Sequence, residues 1–444
     1  MKLVARQALL PDGWANAVEI SIEAGRIAGI TTGSTVPPSI DTLLPGGANL
    51  HSHAFQRSFA GLTEARGPGA DSFWTWREMM YRFALSLDPE QAQIVAEMAY
   101  IEMLEAGYTR LGEFHYLHHA PDGRAYEDPA EMSARIFAAA QETGIALTHL
   151  PVFYAHGGFG PKPAGEGQRR FLHDREGFLR LIEACDGLAA QMPSARVGFA
   201  PHSLRAASPE DLAALAEALP GRPLHIHIAE QMPEVTACLD WCGQRPVEWL
   251  LDHAELGPDW CLIHATHLTE AETQRLAASG AVAGLCPVTE ANLGDGIFPG
   301  ASFIAAGGGF GIGTDSNVRI SLAEELRLLE YSQRLAGQAR NVMAGQEGST
   351  GQQLFTAAWA GGHQALGSEA VGLAKGAAAD LVALHDPLEL GSDAPTLLDR
   401  WIFGPDITVS DVWAGGAHLV AEGRHHKRPE ISARFAAVVR DVLS

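Results

Sequence analysis

Eight apolar runs of strand length alternate with helical patterns along residues 45–371, and this alternation limits the choice of fold more than any other feature. The runs end near Leu50, Phe114, Phe153, Pro201, Ile228, His264, Pro287 and Thr314. Eight strand–helix units predict an α/β fold, the (β/α)8 or TIM barrel, whose usual size is roughly 250 residues and more with insertions. A doubly wound open sheet is the alternative, and the lack of G-x-G-x-x-G after the first run disfavours it.

Several helices between these runs have recognisable starts. Asp88 and Ser208 each stand before a proline, which places a capping side chain ahead of the first helical position. Thr269 and Ser321 are each followed three residues later by a glutamate, the spacing of a capping box. The stretch 157–167 is rich in glycine and proline and predicts a loop over one face, with the composition of a lid.

Both ends of the chain have the texture of short strands and tight turns. The strand-like runs cover residues 5–10, 17–22, 27–31, 380–384, 409–413 and 418–420. Pro11-Asp12-Gly13, between the first two runs, is a typical turn sequence. We therefore predict a small β-sandwich domain built from residues 1–44 and 372–444, around a barrel domain of residues 45–371.

Charge and hydropathy narrow the classes of partner. The chain has 444 residues and a formal net charge of -22, which repels nucleic acid and anionic membranes. A small anionic substrate would need a local basic pocket. We find no apolar run that resembles a signal peptide core or a membrane span, and the five cysteines form no C-x-x-C pair. These features predict a cytoplasmic location and no disulfide framework.

Candidate metal ligands stand at the ends of the predicted barrel strands. The first run ends in His51-Ser52-His53, and residues two apart on a strand point to the same side, so both imidazoles can reach one metal ion. The pair alone is weak evidence, but barrel active sites lie at this end of the strands. The fifth run adds His227, the sixth His264, and the glycine-rich eighth is followed by Asp315, an oxygen ligand or proton acceptor.

Glu230 follows His227 by three residues and lies at the predicted mouth of the barrel, where a carboxylate can shuttle protons. A helix-start acid is the alternative explanation. His225 faces the same way as His227 but lies deeper, so we interpret it as a hydrogen-bonded core histidine. Other histidines are predicted in solvated loops; they are His115, His118, His119, His425 and His426. Cys238 and Cys242, one helical turn apart, predict a buried helix face.

The order of these residues resembles that of the amidohydrolase superfamily: H-x-H, then H-x-x-E, then a single histidine and an aspartate, with a β domain from both ends. Residues 372–382 resemble that superfamily's return from barrel to β domain. Five stretches resemble the formimidoylglutamate deiminases within it; they are residues 49–57, 112–116, 154–159, 201–205 and 313–317. Thr314 stands where that family often has serine. The resemblance covers essentially the whole chain.

The resemblance implies one zinc ion per chain and a set of roles. The metal ligands would be His51, His53, His227 and Asp315, and the catalytic residues Glu230, His264 and Asp315. The residues that hold the substrate carboxylates would be Gln56, Arg77, Tyr116, His202 and Arg205. Arg77 is predicted in a long loop, 65–83, where a surface arginine is the alternative. Arg205 lies four residues past the fourth strand, and a guanidinium is the natural bidentate partner of a carboxylate.

The implied reaction is zinc-dependent hydrolysis of the dicarboxylate N-formimino-L-glutamate to N-formyl-L-glutamate and ammonia, in histidine degradation, by a homodimer. Zinc would generate a hydroxide, Asp315 would take the proton, His264 would orient water or substrate, and Glu230 would protonate the leaving nitrogen. One alternative is a deaminase of a nucleobase or related ring on the same scaffold, with an aromatic and mostly neutral pocket. The other is a non-catalytic, metal-dependent assembly protein.

Overall fold

The computed structural model of the chain describes residues 1–65, 73–345, 348–389 and 394–444, and a closed parallel barrel lies at its centre. The barrel strands are β5 (Gly47–Ser52), β6 (Tyr108–His115), β7 (Ala146–Phe153), β8 (Ala195–Val197), β9 (Ala200–Pro201), β10 (Leu224–Ile228), β11 (Trp260–His264), β12 (Val282–Leu285) and β13 (Gly309–Ile312). Since β8 and β9 are two pieces of one strand, these are the eight predicted barrel strands, and the predicted fold class is confirmed.

The barrel closes between its fourth and fifth strands. Phe199 forms a parallel bridge to Leu224, and the amide of His225 donates to the Phe199 carbonyl at 3.1 Å. A Cβ atom at Gly198 would lie 2.5 Å from the carbonyl oxygen of Pro223, so only glycine fits at this closure. The seam therefore depends on a glycine that the sequence places just before the fourth strand ends.

Helices surround the barrel and also follow the terminal strands. They are α1 (Phe73–Ala84), α2 (Pro89–Glu105), α3 (Glu131–Thr143), α4 (Arg175–Ala189), α5 (Pro209–Ala218), α6 (Met232–Cys242), α7 (Pro246–His253), α8 (Glu270–Ser279), α9 (Pro287–Leu293), α10 (Gly300–Ala305), α11 (Leu322–Gly337), α12 (Thr350–Ala365), α13 (Ala394–Phe403) and α14 (Arg428–Leu443). Two short 3-10 helices cover Ala54–Phe59 and Glu166–Gln168. Within the described ranges, no helix is both long and apolar enough to cross a bilayer.

The predicted helix starts are present, with one difference. Asp88, Ser208 and Thr269 cap α2, α5 and α8 as capping boxes. Ser321 Oγ accepts the amide of Glu324 at the start of α11, but the Glu324 carboxylate pairs with Arg319 at 2.5 Å instead of returning to the cap. A nearby guanidinium is a stronger partner for a carboxylate than a backbone amide, so only half of the predicted box forms.

Strands from both ends of the chain form a second, separate sheet of eight strands. They are β1 (Lys2–Leu10), β2 (Gly13–Glu23), β3 (Arg26–Thr31), β4 (Ile40–Pro45), β14 (Leu381–His385), β15 (Thr408–Ala414), β16 (Ala417–Ala421) and β17 (Arg424–His425). Their order is β17-β16-β15-β14-β4-β1-β2-β3, so β14 pairs antiparallel with β4 and joins the two ends.

The C-terminal helices α13 and α14 were not predicted, because short strand-like runs are the strongest pattern in this part of the sequence. α14 packs on α2 of the barrel through Ile431, Met98 and Ile101, all buried. Arg434 pairs with Glu97 at 2.9 Å across the same contact. The helix therefore extends the contact between the terminal region and the barrel.

Candidate active site

Four candidate ligands meet at the carboxyl ends of the barrel strands. One ligand atom from each of His51, His53, His227 and Asp315 lies within 4.8 Å of the others, and all four residues are buried. Asp315 Oδ1 lies 3.2 Å from His53 Nε2 and 3.4 Å from His51 Nε2. Three imidazoles and one carboxylate are the donor set of a mononuclear site for a borderline metal ion such as zinc.

The ring orientations fit a cation between these residues. Nδ1 of His53 donates to the Phe114 carbonyl at 2.9 Å, and Nδ1 of His227 donates to the His202 carbonyl at 3.1 Å. In the neutral tautomer each ring then presents an unprotonated Nε2 to the cluster. The Nε2 atoms of His51 and His227 lie only 3.1 Å apart. Burial lowers the pKa of His51 to about 3, which keeps its imidazole neutral and ready to coordinate.

Asp315 lies three residues after the eighth strand ends, and backbone hydrogen bonds to the end of the first strand hold it in place. Its amide donates to the His51 carbonyl at 3.0 Å, and its own carbonyl accepts the His53 amide at 2.9 Å. The side chain of Asn317 donates to the His53 carbonyl at 3.1 Å and to Ser52 Oγ at 3.1 Å. Burial alone would raise the pKa of Asp315, but the adjacent imidazoles of His51 and His53 bring it well below its usual range, so the carboxylate is ionised.

Candidate acid–base groups lie beside the cluster. His264 Nε2 is 3.8 Å from Glu230 Oε1 and 4.0 Å from Asp315 Oδ2. On its other side, His264 Nδ1 is 3.4 Å from Glu290 Oε1. Burial alone would lower the pKa of His264, but the nearby carboxylates of Glu230, Glu290 and Asp315 together raise it to about 10. Burial raises the pKa of Glu230, partly opposed by His264 and Arg205, which suits a group that gives and takes a proton.

One cavity is lined by three of the four cluster residues and by every predicted substrate residue. The predicted residues in its wall are Gln56, Arg77, Tyr116, His202 and Arg205, beside His53, His227, Glu230, His264 and Asp315. Gln56 Nε2 donates to the Tyr116 hydroxyl at 3.0 Å. The Nε atom of Arg205 is buried and contacts no hydrogen-bond acceptor in the described part of the chain. The cavity wall therefore combines metal ligands with cationic side chains.

The predicted position of Arg77 in a loop is wrong. Arg77 lies on α1 (Phe73–Ala84), and its guanidinium carbon is 5.5 Å from the centre of the Tyr81 ring, one turn later. Residues 66–72 of the predicted loop lie outside the described residues. The pattern Trp76-Arg77-x-x-Met80-Tyr81 has helical spacing, which is the signal that predicts this helix.

The histidines predicted in solvated loops are mostly buried. His115 and His118 are buried, and His118 Nε2 donates to the Val152 carbonyl at 2.8 Å. His119 Nε2 donates to the Leu172 carbonyl at 2.7 Å. His425 is buried and donates to the Thr143 carbonyl at 3.0 Å. These bonds reach carbonyls of distant segments, so the sequence around each histidine does not reveal them.

Two further interpretations concern core residues. His225 is fully buried and its Nε2 donates to the Ala365 carbonyl at 2.8 Å, as a core histidine should. Cys238 is buried but Cys242 is exposed, so the predicted buried helix face includes only the first cysteine. The loop 157–167 packs on α6, where Phe159 stacks on Trp241 with ring centroids 5.5 Å apart.

Sequence reasoning missed several residues of the site. Glu290 on α9 contacts His264, and its Oε1 also accepts the amide of Cys286 at 3.1 Å. Aromatic side chains complete the cavity wall; they are Trp76, Tyr81, Tyr154 and Phe171. Tyr154 directly follows the third barrel strand and Glu290 follows the seventh by five residues, so their place after strand ends is the signal that identifies them.

A second group of potential ligands, His264, Cys286 and Asp315, overlaps the first. It shares Asp315 with the four-residue cluster. Burial, together with the carboxylates of Asp315 and Glu290, raises the pKa of the Cys286 thiol well above its usual range. A protonated thiol is a poor metal ligand, so the four-residue cluster is the better metal site.

Comparisons with known proteins agree with this geometry. A family model described as "Amidohydrolase family" matches residues 42–417, and one described as "Formimidoylglutamate deiminase HutF, N-terminal domain" matches residues 2–39. A formimidoylglutamate deiminase from Pseudomonas aeruginosa is 48% identical over 99% of this chain and 99% of its own. A crystal structure of an amidohydrolase from Brucella melitensis has a TM-score of 0.98 and 54% identity, and covers 100% of both chains.

More distant structures share the fold. An adenosine deaminase from Xanthomonas campestris with bound zinc has a TM-score of 0.80 and 18% identity, over 99% of this chain and 98% of its own. An 8-oxoguanine deaminase from Pseudomonas aeruginosa is 29% identical over 87% of this chain and 86% of its own. The match over nearly the whole chain at 48% identity, with both family models, is much closer than these. The chain belongs to the formimidoylglutamate deiminase family of amidohydrolases.

Proposed function

We propose that this protein is a hydrolase of the linear amidine N-formimino-L-glutamate, which it converts to N-formyl-L-glutamate and ammonia in histidine degradation. The observation that carries the proposal is one cavity whose wall combines three members of the metal cluster, His53, His227 and Asp315, with Arg77 and Arg205. A chain with net charge -22 repels a dicarboxylate at long range, so such a local cationic wall is what the substrate requires.

We propose zinc as the resident metal, one ion per chain, held by His51, His53, His227 and Asp315. The neutral imidazole of His51 and the hydrogen-bonded Nδ1 atoms of His53 and His227 support this assignment. When bound, zinc supplies Lewis acidity that activates water near neutral pH. The adenosine deaminase structure contains zinc, but this chain shares only the fold of that protein, so the zinc there does not identify the metal in this one.

The remaining steps belong to side chains of this protein. The Asp315 carboxylate accepts a proton from the attacking water, and His264 orients the water or polarises the substrate. Addition of water to the formimino carbon gives a tetrahedral carbon with two nitrogens. Glu230, whose pKa burial raises, gives its proton to the terminal nitrogen. That nitrogen takes a second proton from Asp315 and leaves as ammonia, and the hydroxyl proton returns to Glu230 as the formyl carbonyl forms. The two substrate carboxylates bind to Arg205 and Arg77, together with Tyr116, His202 and Gln56. These contacts hold the formimino carbon in place.

The test is an ammonia-release assay with N-formimino-L-glutamate. We expect turnover with this substrate, slower turnover with N-formimino-L-aspartate, which is shorter by one methylene, and none with guanine, adenosine or cytosine. Robust ammonia release from one of those rings would favour the alternative of a ring deaminase, to which the 29% identity with an 8-oxoguanine deaminase gives some support. No ammonia from any of them, with metal bound, would favour the assembly protein.

Three further predictions accompany this proposal. We propose a cytoplasmic location, a homodimer, and the division into domains 1–44 with 372–444 and 45–371. Sedimentation of the full chain tests the dimer, and limited proteolysis near residues 45 and 371 tests the division.

A further inference from the structure

A second cavity lies at the opposite end of the barrel from the candidate active site. It has a volume of about 790 Å³ and lies where the terminal sheet meets the amino-terminal ends of the barrel strands. Gly25, Arg26 and Gly415 contribute from the terminal sheet, and Arg110 and Arg196 contribute from β6 and β8. A ligand in this cavity would therefore contact both parts of the structure.

Arg110 supplies unused hydrogen-bond donors at this place. Its Nε and Nη1 atoms are buried and contact no acceptor among the described residues. The indole Nε1 of Trp359, in the same wall, is likewise buried without a partner in the described part of the chain. Buried donors without acceptors cost free energy, so the cavity favours a ligand rich in acceptor oxygens.

The charge of the cavity wall is opposite in sign to that of the chain. The positively charged residues described in the wall are Arg26, Arg110, Arg196 and Lys375, and the negatively charged ones are Glu369 and Asp380. This leaves an excess of two positive charges, in a chain whose net charge is -22. One carboxylate oxygen of Asp380 accepts the Gly415 amide at 2.7 Å, so that group is already engaged in the terminal sheet.

His363 lies in the same wall and does not change the excess of two positive charges there. Burial, followed by the charge of Arg110, lowers the pKa of His363 to about 4. Its Nδ1 lies 2.9 Å from Ser368 Oγ, and its Nε2 lies 3.4 Å from the Gly46 carbonyl. The imidazole is therefore neutral at pH 7 and already has partners.

We propose that this cavity binds a small dianion, either inorganic phosphate or a short dicarboxylate, through Arg110 and Arg196. Both ligands share two negative charges and several acceptor oxygens, which match the two excess positive charges and the unused donors of Arg110 and Trp359. Because the wall belongs to both the terminal sheet and the barrel, binding stabilises their contact and raises the melting temperature of the protein.

The experiment measures thermal unfolding and calorimetric binding on the full chain at constant ionic strength. The probes are inorganic phosphate, succinate and, as a monoanion control, acetate. We compare the wild type with Arg110→Met, Arg196→Ser and Arg205→Met, and with Arg180→Ser as a matched control. Arg180 is exposed on α4, pairs with Glu176 and is absent from the cavity wall. Arg205→Met separates this cavity from the active site, which also holds arginines.

We expect phosphate or succinate to bind the second cavity of the wild type, Arg205→Met and Arg180→Ser alike, whereas Arg205→Met weakens only the binding of succinate in the active site. The dissociation constant should rise by about tenfold or more in Arg110→Met and in Arg196→Ser, and acetate should bind more weakly in every case. The dianion that binds more tightly identifies the ligand class. Arg196 is exposed, so Arg196→Ser carries the test if Arg110→Met does not fold.

Three results would overturn the proposal. Binding that is lost in Arg205→Met and kept in both cavity variants would assign the ion to the active site. Equal stabilisation of all variants would be a general salt effect. No binding of either dianion at about 10 mM would exclude a site of useful affinity.

Discussion

The Nδ1 atom of His264 lies 3.4 Å from Oε1 of Glu290, and both side chains are buried. This contact leaves the other ring nitrogen, Nε2, directed toward Glu230 and Asp315. Glu290 thus determines how His264 is oriented in the site, although it does not line the cavity itself. It acts as a positioning residue.

We predict that Glu290→Gln lowers kcat by about 10- to 100-fold while the bound metal is kept, because partners of this kind orient a group without coordinating the ion. Steady-state ammonia release and elemental analysis measure the two quantities. The matched control is Glu324→Gln, a carboxylate on α11 that pairs with Arg319 outside the site. A kcat within about twofold of wild type would show that Glu290 has no such role.

Glu230→Gln should keep metal and substrate binding but lose turnover. The amide has a similar shape but cannot transfer the proton that ammonia needs to leave. A general acid–base group contributes about 10²- to 10⁴-fold, and we expect a loss in the upper part of that range. Single-turnover kinetics give the rate, with Glu210→Gln on α5 as an exposed control. Retention of more than about a tenth of wild-type kcat would contradict the role.

Arg205→Met should lower kcat/KM for N-formimino-L-glutamate by about 100-fold or more, equivalent to roughly 3 kcal/mol. The substitution leaves a substrate carboxylate in a buried site without its charged partner. Metal content should not change. Arg175→Met is the control, since Arg175 is half exposed and pairs with Asp211 outside the cavity. An equal effect of both variants would mean that Arg205 does not bind the substrate.

Elemental analysis should find about one tightly bound metal ion per chain. A two-metal site in this superfamily usually needs a carboxylated lysine on the fourth strand, and the chain's lysines are Lys2, Lys162, Lys375 and Lys427. None lies on β8 or β9. His227→Ala should lose the metal, whereas His225→Gln, two residues away but directed at the Ala365 carbonyl, should keep it. Two tightly held ions per chain would be inconsistent with the four-residue cluster.

His425 should make the stability of the protein depend on pH. Burial lowers its pKa from 6.5 to about 4, so between these values the unfolded chain binds more protons than the folded one. Stability from this residue is therefore lost as the pH falls from 6.5 toward 4. In His425→Phe, the plot of unfolding free energy against pH should become less steep in that window. The decrease in slope should be at most about that expected for the uptake of one proton on unfolding. Melting curves at several pH values measure it, and parallel curves would contradict the assignment.

The part of the site that follows strand ends was predictable from sequence. His51, His53, His227, His264 and Asp315 each stand directly after or within an apolar run, and parallel strands bring such positions to one edge. The pattern required only local periodicity and the order of the runs. The same reasoning predicted the core position of His225, because it lies two residues deeper on the same face.

The parts that failed depend on contacts between distant segments. His118 can be buried because its Nε2–H donates to the Val152 carbonyl. His425 can be buried because its Nε2–H donates to the Thr143 carbonyl. Glu290 is significant only because α9 brings it beside His264. No local spacing encodes these partners. Arg77 is a different case, since its helical spacing was present in the sequence and only the neighbouring glycines and proline favoured a loop.

The strand order of the terminal sheet has a consequence for how the protein folds during synthesis. β4 is paired with β1 on one side and with β14 on the other, and β14 is made only after the whole barrel. At typical rates of translation the outer edge of β4 therefore stays open on the order of tens of seconds. An open edge of this kind can pair with another nascent chain. Slow translation of the barrel would thus increase aggregation of the N-terminal strands rather than of the barrel itself.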